Sequence, residues 1–227
     1  TVTVTYALGG ADAGNYLAPV SQSLAEGVIT AKTLSVSGLS ATSRVYDGTT
    51  TARVTGTAVM TGVVSGDVVT LSGSATGAFA SKGVGAGKPV TVSGLALSGA
   101  AAGNYTLGLP GLVADITVKA LGVSGLTAVS REVDGTVAAG LAGTPALTGL
   151  VAGDDVSLGG IAAGSFADAT AGVGKAVTVS GLGLVGGDAG NYRLDAVTLS
   201  ADLVEPGGGV TVTAYGWTGA SPPAMAA

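Results

Sequence analysis

Val90-Thr91-Val92-Ser93-Gly94-Leu95-Ala96-Leu97 alternates apolar and polar residues on either side of one glycine, and the two halves are out of step. Val90 and Val92 share one parity and Leu95 and Leu97 the other, so a regular strand would send each pair to a different face. One extra residue absorbed at Ser93-Gly94 lets all four enter the same core, which is the signature of a β-bulge. The tetrapeptide Val-Ser-Gly-Leu recurs at Val36–Leu39, Val92–Leu95, Val123–Leu126 and Val179–Leu182. A bulge or strand switch is therefore expected at each of the four glycines.

Working outward, the tetrapeptides belong to a longer repeat. Shifting the sequence by 87 residues lays Lys32–Leu39 on Lys119–Leu126, Asp47-Gly48 on Asp134-Gly135, Gly66-Asp67 on Gly153-Asp154, Phe79 on Phe166 and Lys88 on Lys175. It also lays Gly103-Asn104-Tyr105 on Gly190-Asn191-Tyr192, and Gly14-Asn15-Tyr16 is a third copy of that ending. The chain divides accordingly into residues 1–31, the closing part of a preceding repeat; complete repeats at 32–118 and 119–205; and a Gly/Pro-rich tail or further segment at 206–227. Alternation of Val, Thr and Leu marks short strands, and Asp-Gly, Ser-Gly, Gly-Asp and Gly-Asn punctuate them every 8–12 residues with tight-turn chemistry. No stretch has helical spacing. The expected fold is all-β, as tandem small antiparallel β-sandwich repeats of Ig-like type. The run Asp115-Ile116-Thr117-Val118-Lys119 joins them without a spacer, so end-to-end stacking is expected.

Composition narrows the chemistry. The 227 residues contain neither His nor Cys, which removes imidazole bases, Cys-His nucleophiles, the usual zinc sites and disulfides. Gly makes up 41 residues, more than twice its ordinary ~7% share, without the three-residue period of collagen. Mean hydropathy is +0.60 and net charge only −5, unlike a disordered chain. No apolar run approaches the ~18 residues of a membrane helix. The nine basic residues are scattered and form no stripe for a phosphate backbone, so neither a membrane span nor nucleic-acid binding is expected.

Several residues are candidate sites. Asp154, Asp155 and Asp168 form the richest acidic cluster, a possible Ca²⁺ site set against solvated loop carboxylates, although no D-x-D-x-D-G loop is present. Asp47-Gly48 and Asp134-Gly135 read first as turns. Gly83-Val84-Gly85-Ala86-Gly87-Lys88 lacks the first Gly and the Ser/Thr of a phosphate loop and reads as a hairpin loop. The three asparagines all lie between Gly and Tyr, where an Asx turn or left-handed Asn would let the ring cover the sandwich end; an exposed Tyr edge would instead suit a ligand. Candidate ligand-binding residues are thus Tyr16, Tyr105, Tyr192 and the lone Trp217 beside Tyr215.

Val45-Tyr46-Asp47-Gly48-Thr49, Gly66-Asp67-Val68-Val69, Lys88-Pro89-Val90-Thr91-Val92-Ser93-Gly94 and Gly103-Asn104-Tyr105, in that order, resemble the YDG/MBG-type repeats of large bacterial surface adhesins, including filamentous-haemagglutinin-like exoproteins. The second copy departs in having Val133 where the first has Tyr46. The resemblance covers residues 1–205 and implies a stalk module of a secreted, cell-surface protein with no catalytic residues and no cofactor. Expected partners are neighbouring repeats and, by lateral association of weakly charged Thr/Ser-rich faces, other rods in a filament or biofilm. The alternative is a module that binds carbohydrate or host glycoprotein through its loop-tip tyrosines.

Overall fold

The computed structural model describes residues 2–24 and 28–207. They form strands β1 (Val2–Val4), β2 (Gln22–Leu24), β3 (Lys32–Thr42), β4 (Arg44–Val45), β5 (Thr51–Thr61), β6 (Thr70–Phe79), β7 (Gly85–Ser98), β8 (Tyr105–Gly108) and β9 (Leu112–Thr117). The same pattern continues as β10 (Lys119–Val129), β11 (Arg131–Glu132), β12 (Ala138–Thr148), β13 (Ser157–Phe166), β14 (Gly172–Val185), β15 (Tyr192–Leu194) and β16 (Val197–Val204). The only helical elements among the described residues are single 3-10 turns at Ala13–Asn15, Ala102–Asn104 and Ala189–Asn191.

Each repeat builds one seven-stranded, sandwich-like sheet, in the order β4-β9-β7-β6-β5-β3-β8 and then β11-β16-β14-β13-β12-β10-β15. The long middle strands pair antiparallel, while β3 with β8 and β10 with β15 pair parallel. The chain falls into two compact units: Thr1–Arg44 with Thr50–Asp115, and Val45–Thr49 with Ile116–Ala227. The Tyr-Asp-Gly stretch of the first sequence copy thus belongs to the second unit, a division that differs from the boundary between the complete repeats by those five residues and by residues 116–118.

The four bulges are present. Register breaks between Ser37 and Leu39 and between Ser124 and Leu126, with Gly38 and Gly125 at φ of 80° and 82°. Opposite Gly94 and Gly181 the breaks fall between Gly73 and Thr76 and between Gly160 and Ala163. Beyond each bulge the core-facing parity switches: Leu34 and Val36 are buried before Gly38, and Leu39 and Ala41 are half-buried after it. Each bulge glycine has a second glycine opposite. A Cβ on Gly56, Gly73, Gly143 or Gly160 would lie 2.0–2.1 Å from the carbonyl oxygen of Gly38, Gly94, Gly125 or Gly181 respectively. Two backbones approach so closely there that neither strand has room for a side chain.

The cores are small. Leu34, Val69 and Tyr105 pack with Met60, Val63, Leu97 and Ala101 in the first unit; in the second, Phe166, Val177, Ala201 and Leu203 pack with Ala128, Val133, Ala139, Leu141 and Leu199. Arg44 and Arg131 lie over the Phe79 and Phe166 rings, 5.5 and 5.6 Å from their centroids, so the guanidinium caps the aromatic end of each core. Among the described residues no charged or polar residue is buried as a whole, and the buried Tyr46, Tyr105 and Tyr192 bring their hydroxyls into otherwise apolar interiors.

Candidate functional site

The recurring motifs converge on tyrosine–carboxylate latches. In the first unit Gly66, at φ 96°, turns the chain so that the Asp67 N–H reaches the Val64 carbonyl at 3.1 Å. The 3-10 turn at Ala102–Asn104 then delivers Tyr105 into β8, whose hydroxyl donates to Asp67 Oδ2 and accepts the Val64 N–H at 3.1 Å. The second unit repeats the arrangement with Tyr192, which donates to Asp154 Oδ2 at 2.6 Å and accepts the Val151 N–H at 3.2 Å. Each latch ties the β8- or β15-edge to the turn ahead of β6 or β13.

The second unit adds another phenol. Tyr46 donates to the same Asp154 Oδ2 at 2.7 Å, and its ring meets Tyr192 edge-on, with centroids 5.3 Å apart and planes at 77°. Each residue of Tyr46-Asp47-Gly48 has a separate role. Tyr46 is 1% exposed and its N–H donates to the Thr117 carbonyl at 2.9 Å. Asp47 Oδ1 accepts both the N–H and the hydroxyl of Thr49 at 2.8 Å, which is an Asx turn. Gly48 lies at φ 79°, where a Cβ would stand 2.7 Å from Val151 Cγ1. Asp134 repeats the turn with Thr136 in the second copy, and Gly135 there has open space around it.

Ionisation follows the geometry. Burial first, and the bond to Asp154 next, push the Tyr192 hydroxyl up to about 12. The Asp67 hydrogen bond is the main cause of a raised Tyr105 hydroxyl. A tyrosine whose folded pKa exceeds its unfolded value stabilises the fold fully below pH ~10 and loses that contribution as pH rises toward 12. Phenolate absorbance is expected to show Tyr192 ionising well above the ordinary tyrosine value, together with alkaline unfolding of the second unit; Tyr192 ionising near 10 in the folded chain would contradict the latch.

The sequence candidates separate. Tyr105 and Tyr192, expected to cover the sandwich end with ligand recognition by an exposed edge as the alternative, are 7% and 6% exposed and their hydroxyls are engaged internally; Tyr16 is 72% exposed. The Gly-Asn-Tyr turn is a 3-10 turn, with Tyr extended after it, and the ring does cover the end of the core. Asp154, Asp155 and Asp168 do not share one site. Asp154 serves the two tyrosines, Asp155 Oδ2 accepts the Gly187 N–H at 2.9 Å, and Asp168 pairs with Lys175 and Thr170. Among the described residues no three acidic side chains gather to hold a metal. Trp217 and Tyr215 lie outside the described residues.

The Gly-rich stretch Gly83–Lys88, expected as a hairpin loop, runs from Gly85 into β7 and is held by its own lysine. Lys88 Nζ donates to Ser81 Oγ at 2.9 Å and to the Gly83 carbonyl, and Lys175 Nζ to Asp168 and to the Thr170 carbonyl at 2.6 Å. The Lys175 ammonium and Thr170 hold the Asp168 carboxyl far below the usual range. Asp115 and Asp202, which the sequence reading did not single out, accept the Gly87 and Gly174 N–H groups at 2.7 Å. Their only sequence signal is their shared place in the 87-residue repeat.

A tandem all-β repeat, latched by Tyr and Asp at fixed spacing, is the class these features define. The YDG domain family model matches residues 30–112 and 117–199, and the chain belongs to that family. No curated protein and no solved structure matches.

Proposed function

We propose that this chain is a structural segment of a secreted or cell-surface bacterial adhesin, in which tandem YDG repeats form an extended, stiff rod that holds a binding region away from the cell. One observation carries the reading: the polar motif residues are spent on bonds inside the fold. Tyr105 with Asp67, Tyr46 and Tyr192 with Asp154, and Lys88 and Lys175 within their loops all bond internally. Residues spent in this way make a mechanically sound module, and the contribution of the segment is length. Exposed Ser/Thr pairs across strands, such as Thr70–Ser98 and Thr76–Ser93, give weakly charged faces suited to lateral association of rods in a filament or biofilm.

Low-angle scattering on the full chain tests the rod. A single 227-residue globule has a radius of gyration near ~17 Å, and the expected value is well above it. A value at ~17 Å removes the stalk reading. In the parent protein, deleting these repeats is expected to abolish adherence, and an unrelated stiff β-repeat of equal length is expected to restore it. A glycan-binding role has the exposed ring of Tyr16 in its favour. Glycan-array retention lost on Tyr16→Ala would favour it over the spacer.

A further inference from the structure

The corner formed by Val64, Asp67 and Tyr105 has the construction of the one at Val151, Asp154 and Tyr192, yet its surface is different. Asp154 and Val151 are half-buried, whereas Asp67 is exposed and Val64 is 49% exposed. In the second unit Tyr46 lies against this corner, sharing Asp154 Oδ2 with Tyr192 and packing its ring on Tyr192, and Gly48 lies against Val151. A carboxylate has lone pairs for several donors, so Asp67, holding the Tyr105 hydroxyl, can accept a second phenol as Asp154 does.

We propose that the Val64–Asp67–Tyr105 corner is a receptor for the Tyr-Asp-Gly loop of a further copy of this repeat lying ahead of residue 32 in the same polypeptide. Three observations select that occupant. The equivalent corner already holds a Tyr-Asp-Gly loop, so the fit of phenol, Asx turn and side-chain-free glycine is shown. Tyr-Asp-Gly occurs once in these 227 residues, at 46–48, and the second copy carries Val133 in place of the tyrosine, so the chain has no spare loop of its own. Tyr46 lies 108 residues ahead of Asp154, and a donor at that spacing from Asp67 belongs to an upstream copy. Residues 13–16 carry the Ala-Gly-Asn-Tyr ending of such a copy, folded into the same 3-10 turn as in the two complete repeats. The inference rests on the repeat organisation and is independent of where the protein resides.

The test extends the full chain at its N-terminus by a duplicate of residues 32–89, which completes the partial copy and supplies a second Tyr-Asp-Gly loop. Amide exchange at Val64 is expected to slow about tenfold relative to the unextended chain. The Tyr105 ring resonances are expected to shift toward those of Tyr192. Both effects should vanish when the added tyrosine is replaced by Ala. Unchanged Val64 and Tyr105 signals overturn the proposal, as does a change that survives the Ala replacement. A response that grows with protein concentration assigns the corner to a second molecule and overturns the in-chain version. If the added copy does not fold, a peptide with the sequence of Ser43–Thr51 at millimolar concentration supplies the loop in trans. Absence of a tyrosine-dependent shift at Val64 in that titration also counts against the receptor. Adherence plays no part in these readouts, so their failure is distinguishable from failure of the stalk reading.

Discussion

Gly181→Ala is expected to destabilise the second unit by roughly 3 kcal/mol, seen as a thermal midpoint lowered by ten degrees or more. Two costs add. Gly181 sits at φ 80°, a left-handed conformation that an L side chain enters at a cost of about 1–2 kcal/mol. Its new Cβ would also stand 2.2 Å from the Ile161 carbonyl oxygen, which is backbone and cannot swing aside. Relief requires opening the bulge, and that moves Leu182 and the residues beyond it off the register that directs them inward. Gly94→Ala in the first unit, with its Cβ 2.3 Å from the Ser74 carbonyl oxygen, is expected to act alike. Gly183→Ala, two residues from Gly181 in the same strand, meets nothing within 4 Å and has no positive φ, so it is the control and should be near neutral. Urea denaturation of the three variants decides the matter: a Gly181→Ala loss no larger than that of Gly183→Ala would show that the bulges do not confine the backbone.

Asp154→Ala is expected to cost roughly 2–4 kcal/mol, because one substitution leaves two enclosed phenols without their acceptor. Tyr46 and Tyr192 are 1% and 6% exposed, so little water can replace the carboxylate. The matched change Asp67→Ala removes the acceptor of one phenol at an exposed corner and is expected to cost about 1 kcal/mol. The contrast is the informative quantity, since both positions have the same local sequence role. Equal losses in chemical denaturation would mean that the Tyr46 hydroxyl contributes nothing to the second unit. Tyr46→Phe measures that hydroxyl directly; it keeps the edge-on ring contact with Tyr192 and is expected to account for part of the Asp154→Ala loss.

These two effects differ in how far they are legible without coordinates. The bulge glycines Gly38, Gly94, Gly125 and Gly181 follow from parity, because alternation is local and a phase slip around one glycine has few physical causes. The glycines facing them, Gly56, Gly73, Gly143 and Gly160, carry no such signal; which residue stands opposite a bulge is a property of strand pairing. The Asp-Gly turns, the lysine of the Gly-rich loop and the ring at the end of the core also lie close to their motifs in the chain. Tyr105 and Tyr192 read from the sequence chiefly as rings covering the sandwich end, with exposed loop tips as the alternative, and the 3-10 turn before them is what aims the rings inward.

Repeat length, all-strand character, four bulges and the absence of imidazole and thiol chemistry were determined by the sequence alone, since each depends on composition or on residues a few positions apart. Only the tertiary structure decided that Asp154 serves Tyr46 and Tyr192 together, that the first Tyr-Asp-Gly belongs to the second compact unit, and that the acidic residues near 154 and 168 do not form one site. Those pairings span 38 and 108 residues. At such separations spacing along the chain carries no distance information, and the path of the sheet sets which side chains meet.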